Sequence, residues 1–284
     1  MEVPRLVAIL ELLQLCAAWV SSAYLTLGDG YTWQIEGEDE SAAEIVSMLS
    51  KILMLKPREG PCRRLSVKTL RVRDDCKDSG DHKVFILPCS GDDSFLAVAF
   101  ALIMRPVCLD VQSRMGLLVH GALAERNGPG AILAGPSGVG KTTTSNRLQP
   151  PWRSLSDDLT LIVCDQQGRY WAHPWPTWSR FEEGGPGGSW DVCHAVPLKG
   201  IFFLAKSQEN RAVGLGAGRA ACMHIEVVEQ ASYRFHCLDD DAANQLQKFG
   251  NACTLAKVVP AFILHLSLNG PFWKEMDLAL GLDD

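Results

Sequence analysis

The stretch from Gly135 to Thr142, which reads Gly-Pro-Ser-Gly-Val-Gly-Lys-Thr, constrains this chain more than any other part of its sequence. It matches the phosphate-loop pattern G-x-x-x-x-G-K-[ST] and follows the apolar run Ala131–Ala134, which is typical of a strand buried on both faces. Glycines let the backbone curl with positive φ, so that successive N–H groups point at phosphate oxygens. The pattern predicts a nucleotide site in which Lys141 reaches the β- and γ-phosphates and the Thr142 hydroxyl ligates Mg²⁺. The predicted nucleotide contacts are Gly135, Pro136, Ser137, Gly138, Val139, Gly140, Lys141, Thr142 and Thr143.

Two adjacent carboxylates, Asp157 and Asp158, directly precede the apolar run Leu159–Val163. Ionised carboxylates beside a buried strand lower the stability of the fold unless positive charge lies near them. A magnesium–nucleotide complex would supply that charge. One of them would hold the metal, with Asp158 and Thr142 as the predicted ligands, and the other would accept the proton of an attacking hydroxyl. Which does which stays open, and the alternative is a solvated turn that caps the strand.

His120 precedes the phosphate loop by one short predicted hairpin. A lone histidine is more often a structural residue than a functional one. If the strands bring it beside the phosphates, it would orient or charge-balance the carboxylate pair. We therefore treat His120, Asp157 and Asp158 together as candidate catalytic residues.

Strand and helix patterns alternate around the phosphate loop, which predicts an α/β fold. Further strands are predicted at Leu159–Val163, Ile201–Leu204 and Phe262–Leu266. The N-terminal part is less regular and reads as a smaller α+β region. It is predicted to contain a hairpin in Tyr24–Ile35, an amphipathic helix at Ala42–Leu55, a surface loop at Pro57–His82, a strand at Val84–Leu87 and a buried helix at Phe95–Met104. The predicted boundary separates residues 1–110, of unknown role, from a nucleotide-binding domain at 111–284.

Charge and cysteine content narrow the function classes. The 27 basic and 33 acidic residues give a net charge of −6, which disfavours general binding to nucleic-acid backbone. The ten cysteines form no C-x-x-C pair, so buried free thiols in a reducing cytoplasm are predicted, with a disulfide framework as the alternative.

The apolar run Leu6–Val20 resembles a signal-peptide core, but Glu11 and Gln14 interrupt it and Glu2 offsets Arg5. We interpret it as a helix of the folded protein and find no other segment that looks long and apolar enough to cross a bilayer. A cytoplasmic protein without a membrane partner is the expectation.

Three pieces in register resemble the bacterial HPr kinase/phosphorylase family: His120-Gly121, the loop from Gly135 to Thr142, and Leu155-Ser156-Asp157-Asp158. The resemblance covers roughly residues 115–165 and implies an HPr-kinase-like core related to phosphoenolpyruvate carboxykinase. It also implies an active-site histidine at position 120. Lys141 and Thr142 correspond to its phosphate and Mg²⁺ contacts, and the Asp pair to the carboxylates that activate an acceptor serine.

The second half lacks the acidic metal-binding motif of true HPr kinases. It resembles instead the shorter HPr-kinase-like proteins found beside radical-SAM and PqqD-like proteins in peptide-modification cassettes, of the SynChlorMet cassette protein ScmC type. The segments that carry this likeness are His173 to Arg180, Gly184 to Gly188 and Ala195 to Leu204.

The resemblance implies a kinase that uses ATP, or GTP, with Mg²⁺ to phosphorylate a serine or threonine of a peptide or small protein. It also implies cassette partners and a homo-oligomer. A nucleotide-binding scaffold or escort protein is the alternative, and phosphorylation of a small molecule is a third hypothesis. The tryptophan-rich segment allows two interpretations. Its side chains would line the phosphate site beneath a flap formed by the glycines from Gly184 to Gly188, or the segment would form an aromatic loop packed on the sheet. The residues concerned are Trp175, Thr177, Trp178, Ser179 and Arg180.

Overall fold

The computed structural model describes residues 22–58, 60–69, 82–86, 93–177, 188–234 and 242–282. In these ranges the strands are β1 (Ser22–Thr26), β2 (Thr32–Gly37), β3 (Arg63–Thr69), β4 (His82–Ile86), β5 (Leu117–Arg126), β6 (Gly130–Ala134), β7 (Trp152–Ser156), β8 (Leu159–Cys164), β9 (Tyr170–Trp175), β10 (Val196–Lys206), β11 (Arg211–Gly214) and β12 (Ala261–Leu266). The helices are α1 (Glu40–Ile52), α2 (Asp93–Ser113), α3 (Lys141–Asn146), α4 (Ala217–Arg234), α5 (Ala242–Val258) and α6 (Phe272–Leu280). The mixed α/β class is confirmed. The helix predicted at Leu6–Val20 lies outside the described residues.

The N-terminal region forms a four-stranded sheet in the order β1-β2-β3-β4. The predicted hairpin is confirmed by the antiparallel pairing of β1 with β2, and the predicted amphipathic helix is α1. Asp39 joins α1 to β3, because its side chain accepts hydrogen bonds from the Ala42 N–H at 3.0 Å and the Thr69 N–H at 2.7 Å. This carboxylate satisfies a free N–H at the start of the helix and the end of a strand together.

The surface loop predicted at residues 57–82 is wrong, since β3 runs parallel to β2 through the middle of it. Leu65 and Val67 of β3 are fully buried in the core. Their spacing of two residues was a strand signal. Three basic residues in and around the same stretch outweighed that signal in the sequence interpretation.

Helix α2 extends the helix predicted at Phe95–Met104 as far as Ser113, through Pro106. Its window Leu96–Ser113 has a mean hydropathy of 1.5, so in the described part of the chain one helix has the length and composition of a membrane span. The expectation that no such segment follows Leu6–Val20 is therefore wrong. One face of α2 packs in the core through residues that include Phe100, Ile103 and Val107. The boundary predicted after residue 110 falls within this helix and stays a prediction about domain organisation.

The larger sheet has the strand order β11-β12-β10-β6-β5-β8-β9, with β7 paired to β5 beyond the end of β8. The buried strands predicted around residues 131–134, 159–163, 201–204 and 262–266 are confirmed as β6, β8, β10 and β12. The hairpin predicted between His120 and the phosphate loop is confirmed, because the ten-residue strand β5 pairs antiparallel with β6. Strand β5 also pairs with β8 near its start and with β7 near its end.

Helices cover both faces of this sheet, as is usual for buried strands. Helices α4 and α5 pack on one face, where Val227, Ala252 and Leu255 contribute to the core, and α6 packs on the other through Phe272 and Met276. The N-terminal sheet, α1 and α2 share a third core with β8 and β9. The central strands β6, β5 and β8 are thereby held from every side, and they position the candidate site.

The six described cysteines are all free, as predicted, but Cys164 is the one that is buried. Cys222 is exposed, and the remaining four lie in partly buried positions.

Candidate functional site

The predicted phosphate loop leaves the end of β6 and leads into the short helix α3. Gly135, Gly138 and Gly140 have φ angles of +146°, +76° and +110°. Residues other than glycine rarely adopt these backbone angles, so the glycines at the three positions permit the curled backbone that the pattern predicted. The exposed part of the loop is Pro136 to Gly138, followed by Thr142 and Thr143 in the first turn of the helix.

Lys141 lies under this loop rather than in solvent, with 6% of its surface exposed. Its ammonium group donates to the carbonyl oxygens of Gly135 at 2.9 Å and Pro136 at 3.2 Å. A buried ammonium requires such acceptors. The positive charge is therefore held at the base of the loop.

His120 and Asp158 are in direct contact. Nε2 of His120 donates to Oδ1 of Asp158 at 2.7 Å, with the imidazole almost fully buried and the carboxylate 17% exposed. The pairing of His120 with Leu159 across β5 and β8 places the histidine beside the residue that follows the carboxylate pair. The adjacent residue Gly121 pairs with Ala134, the last residue before the phosphate loop. The sheet register thus brings the loop, the histidine and the carboxylates to one edge.

Gln230 of α4 completes this contact and was missed in the sequence analysis. Its Oε1 lies 2.8 Å from Nδ1 of His120, so both ring nitrogens have a partner. The Gln230 amide can accept a hydrogen bond or, turned over, donate one, and it can therefore hold the ring in either protonation state. The available signal was a polar residue three positions after the buried Val227, on the helix stripe that faces the core.

Asp157 is half-buried at the turn between β7 and β8. The turn is fastened by Ser156, whose hydroxyl donates to the Leu159 carbonyl at 2.8 Å and accepts from the Leu123 N–H at 3.2 Å. Across the ranges that the structure describes, no three His, Cys, Asp or Glu side chains come together as metal ligands.

The tryptophan-rich segment lies partly in the core. Trp175 is fully buried at the end of β9, where it pairs with Leu159, and Thr177 is also buried. Of the two readings of this segment, the described residues support packing on the sheet rather than an open wall. Trp178, Ser179, Arg180 and residues 184–187 lie outside the described residues.

His173, at the start of the same segment, is a structural residue. It is fully buried, its Nε2 accepts from the Gly28 N–H at 3.0 Å, and its Nδ1 donates to the Val192 carbonyl at 2.7 Å. Burial lowers its pKa to about 4, and the bond to Val192 offsets part of that effect.

Comparison with known proteins gives one family. A family model described as SynChlorMet cassette protein ScmC matches residues 86–281, which is more than half of the chain and includes the loop, His120, the carboxylate pair and Gln230. No curated protein matches the chain. On the extent of that match, the chain belongs to the SynChlorMet cassette protein ScmC family.

Proposed function

We propose that this protein is a P-loop kinase of the HPr-kinase-like class that transfers the γ-phosphoryl group of ATP to a serine or threonine of a peptide or small protein. Its setting would be a cytoplasmic peptide-modification pathway with radical-SAM or PqqD-like partners. The observation that carries the proposal is the contact between His120 and Asp158 at the sheet edge where the phosphate loop begins. Membership of a cassette-protein family is consistent with a pathway role.

The residues fit the transfer chemistry. The loop from Gly135 to Thr143 offers backbone N–H groups, and Lys141 offers a held positive charge, for the polyphosphate. The acceptor hydroxyl would give its proton to a carboxylate of the 157/158 pair as its oxygen bonds to the γ-phosphorus. The bond from that phosphorus to the β–γ bridging oxygen then breaks and releases the nucleoside diphosphate.

Mg²⁺ bound to phosphates keeps several waters and needs only one or two protein ligands, for which Thr142 and Asp158 are the candidates. The ion would neutralise charge on the phosphates. His120 would hold Asp158 in position through the Nε2 bond, and Gln230 would hold His120. GTP is the alternative nucleotide, and a homo-oligomer the proposed assembly.

The test is phosphate transfer from γ-labelled ATP to the cassette's peptide substrate. We expect labelled peptide from the wild type and a loss of about 100-fold or more in the rate when the essential carboxylate is changed, in Asp157→Asn or Asp158→Asn. Glu209→Gln, at an exposed turn after β10, is the matched control and should transfer normally. Normal transfer by both Asp variants would refute the role of the pair.

The second candidate is a nucleotide-binding scaffold or escort protein. It is favoured by the second half of the sequence, which lacks the acidic metal-binding motif of true HPr kinases. Calorimetry with magnesium nucleotide, combined with the transfer assay, distinguishes the two. Tight binding without transfer to any cassette partner supports the scaffold, whereas no binding at all contradicts both.

A further inference from the structure

A second recess lies away from the phosphate loop. It is an open cleft of about 780 Å³ lined by three segments: residues 28–32 at the tip of the β1–β2 hairpin, residues 61–63 at the start of β3, and the β8–β9 turn from Asp165 to Arg169. Small-molecule sites usually enclose most of their ligand. A cleft of this volume that stays open suits a passing chain segment better than an enclosed small ligand.

Strand β8 separates the cleft from the carboxylate pair. Asp158 precedes its first residue and Asp165 follows its last. Six residues at about 3.3 Å each put the two ends about 20 Å apart. The cleft is therefore distinct from the proposed phosphate site.

The two carboxylates that line the cleft are already occupied. Asp29 pairs with Arg114 and accepts the Tyr31 N–H at 3.0 Å. Asp165 accepts the backbone N–H groups of Gln167 and Arg169, both at 2.9 Å. A cationic ligand would have to displace these bonds.

Asp165 has further partners that keep it ionised. Burial opposes its ionisation, but hydrogen bonds from the Trp171 indole and from Arg169 outweigh that effect, so its pKa lies below the usual range. It is a filled acceptor that orients Arg169 rather than a free charge.

The cationic groups have donors to spare. The Arg63 guanidinium stacks on Tyr31 at 4.5 Å from the ring centroid, and pairs with Asp110 through Nη1. Arg169 binds Asp165 through Nε, and its side chain is 62% exposed. Within the described part of the chain each guanidinium therefore keeps terminal N–H groups for a ligand. The exposed amides of Gln166 and Gln167 lie on the same rim.

Filled acceptors beside open, aromatic-supported guanidinium groups favour an acceptor-rich anion, because planar guanidinium groups match carboxylates in shape and charge. We propose that this cleft binds an extended peptide segment through its carboxylate side chains. The site recognises acidic peptide independently of phosphotransfer, and no nucleotide is needed for binding.

The test measures binding of a fluorescein-labelled heptapeptide of alternating Gly and Glu by fluorescence anisotropy, in the absence of nucleotide. A Gly/Gln peptide of the same length controls for the backbone, and inorganic phosphate is added as a competitor. We expect saturable binding of the Glu peptide alone. Failure to bind, equal binding of the Gln peptide, or displacement by millimolar phosphate would each overturn the proposal, the last by showing a simple anion site.

Variants that change the charge at the rim of the cleft test whether the peptide binds there. Gln166→Glu should weaken and Gln166→Lys strengthen the affinity by about threefold each, as expected for exposed charges. The same changes at the exposed Gln208, after β10, should have no effect.

Arg169→Gln should weaken binding by about fivefold or more, while Arg153→Gln, at a side chain 63% exposed, should not. Equal effects at the test and control positions would show general electrostatics and refute the site. Gln166 is exposed, and its side chain makes no hydrogen bond to the residues that the structure describes, so its variants still test the site if Arg169→Gln fails to fold. Transfer activity is not part of the readout, so failure here is separate from failure of the proposed kinase.

Discussion

Burial of His173 should make the stability of this protein depend on pH. In the fold the ring is neutral, since Nε2 accepts the Gly28 N–H and Nδ1 donates to the Val192 carbonyl. A proton added at Nε2 would face another N–H donor without access to water. Burial therefore lowers the pKa of His173 to about 4 in the folded protein, against about 6.5 in an unfolded chain.

The sign follows from proton uptake. As pH falls below about 6.5, the unfolded chain gains a proton that the folded protein does not, so the unfolded state is stabilised. The contribution of the neutral His173 to the free energy of unfolding is therefore complete above about pH 7 and is lost progressively toward pH 4. One such histidine costs about 2 kcal/mol at pH 5. His224, whose pKa burial also lowers to about 4, should add a similar loss.

Urea unfolding followed by tryptophan fluorescence between pH 7.5 and 5 measures the effect. The wild type should lose about 4 kcal/mol of unfolding free energy over this range through the two histidines. His173→Gln can keep a donor and an acceptor but cannot take up the proton, so it should lose about half as much, and so should His224→Gln. The double variant should be nearly flat in this respect. A wild-type pH slope in His173→Gln would refute the reasoning.

Three further predictions concern the site and the core. Gln230→Met should lower the transfer rate constant by about tenfold with little change in KM for ATP, because His120 loses its Nδ1 partner, while Gln230→Glu should recover much of the rate in steady-state assays. Trp152→Phe should cost about 2 kcal/mol in thermal or urea unfolding, since the buried indole donates to the Asp277 carboxylate at 2.7 Å. Leu65→Ala should cost about 3 kcal/mol in the same assay, which is expected for a core strand and not for a surface loop.

Local chemistry explains what could be predicted from sequence. The strand, glycine turn and helix around the phosphate loop each follow from a few neighbouring residues, and the structure has all three. The hairpin at Gly28 to Gly30 and the helix α1 were equally local. Strand β3 was missed because Leu65 and Val67 are buried in a core that they share with α1 and α2, which the charged sequence around them does not reveal.

The hydrophobic pattern of the sequence by itself determined that apolar strands alternate with helices. The motif from Gly135 to Thr142 by itself determined that a glycine loop with a lysine follows one of these strands. The tertiary structure alone decided that His120 meets Asp158 and Gln230, since these residues lie on a strand, a turn and a helix far apart in the chain. It likewise turned Trp175 into the core and formed the cleft from three separate segments. The physical reason is that strand register and helix docking are set by burial of whole faces, which depends on every partner together rather than on any single stretch.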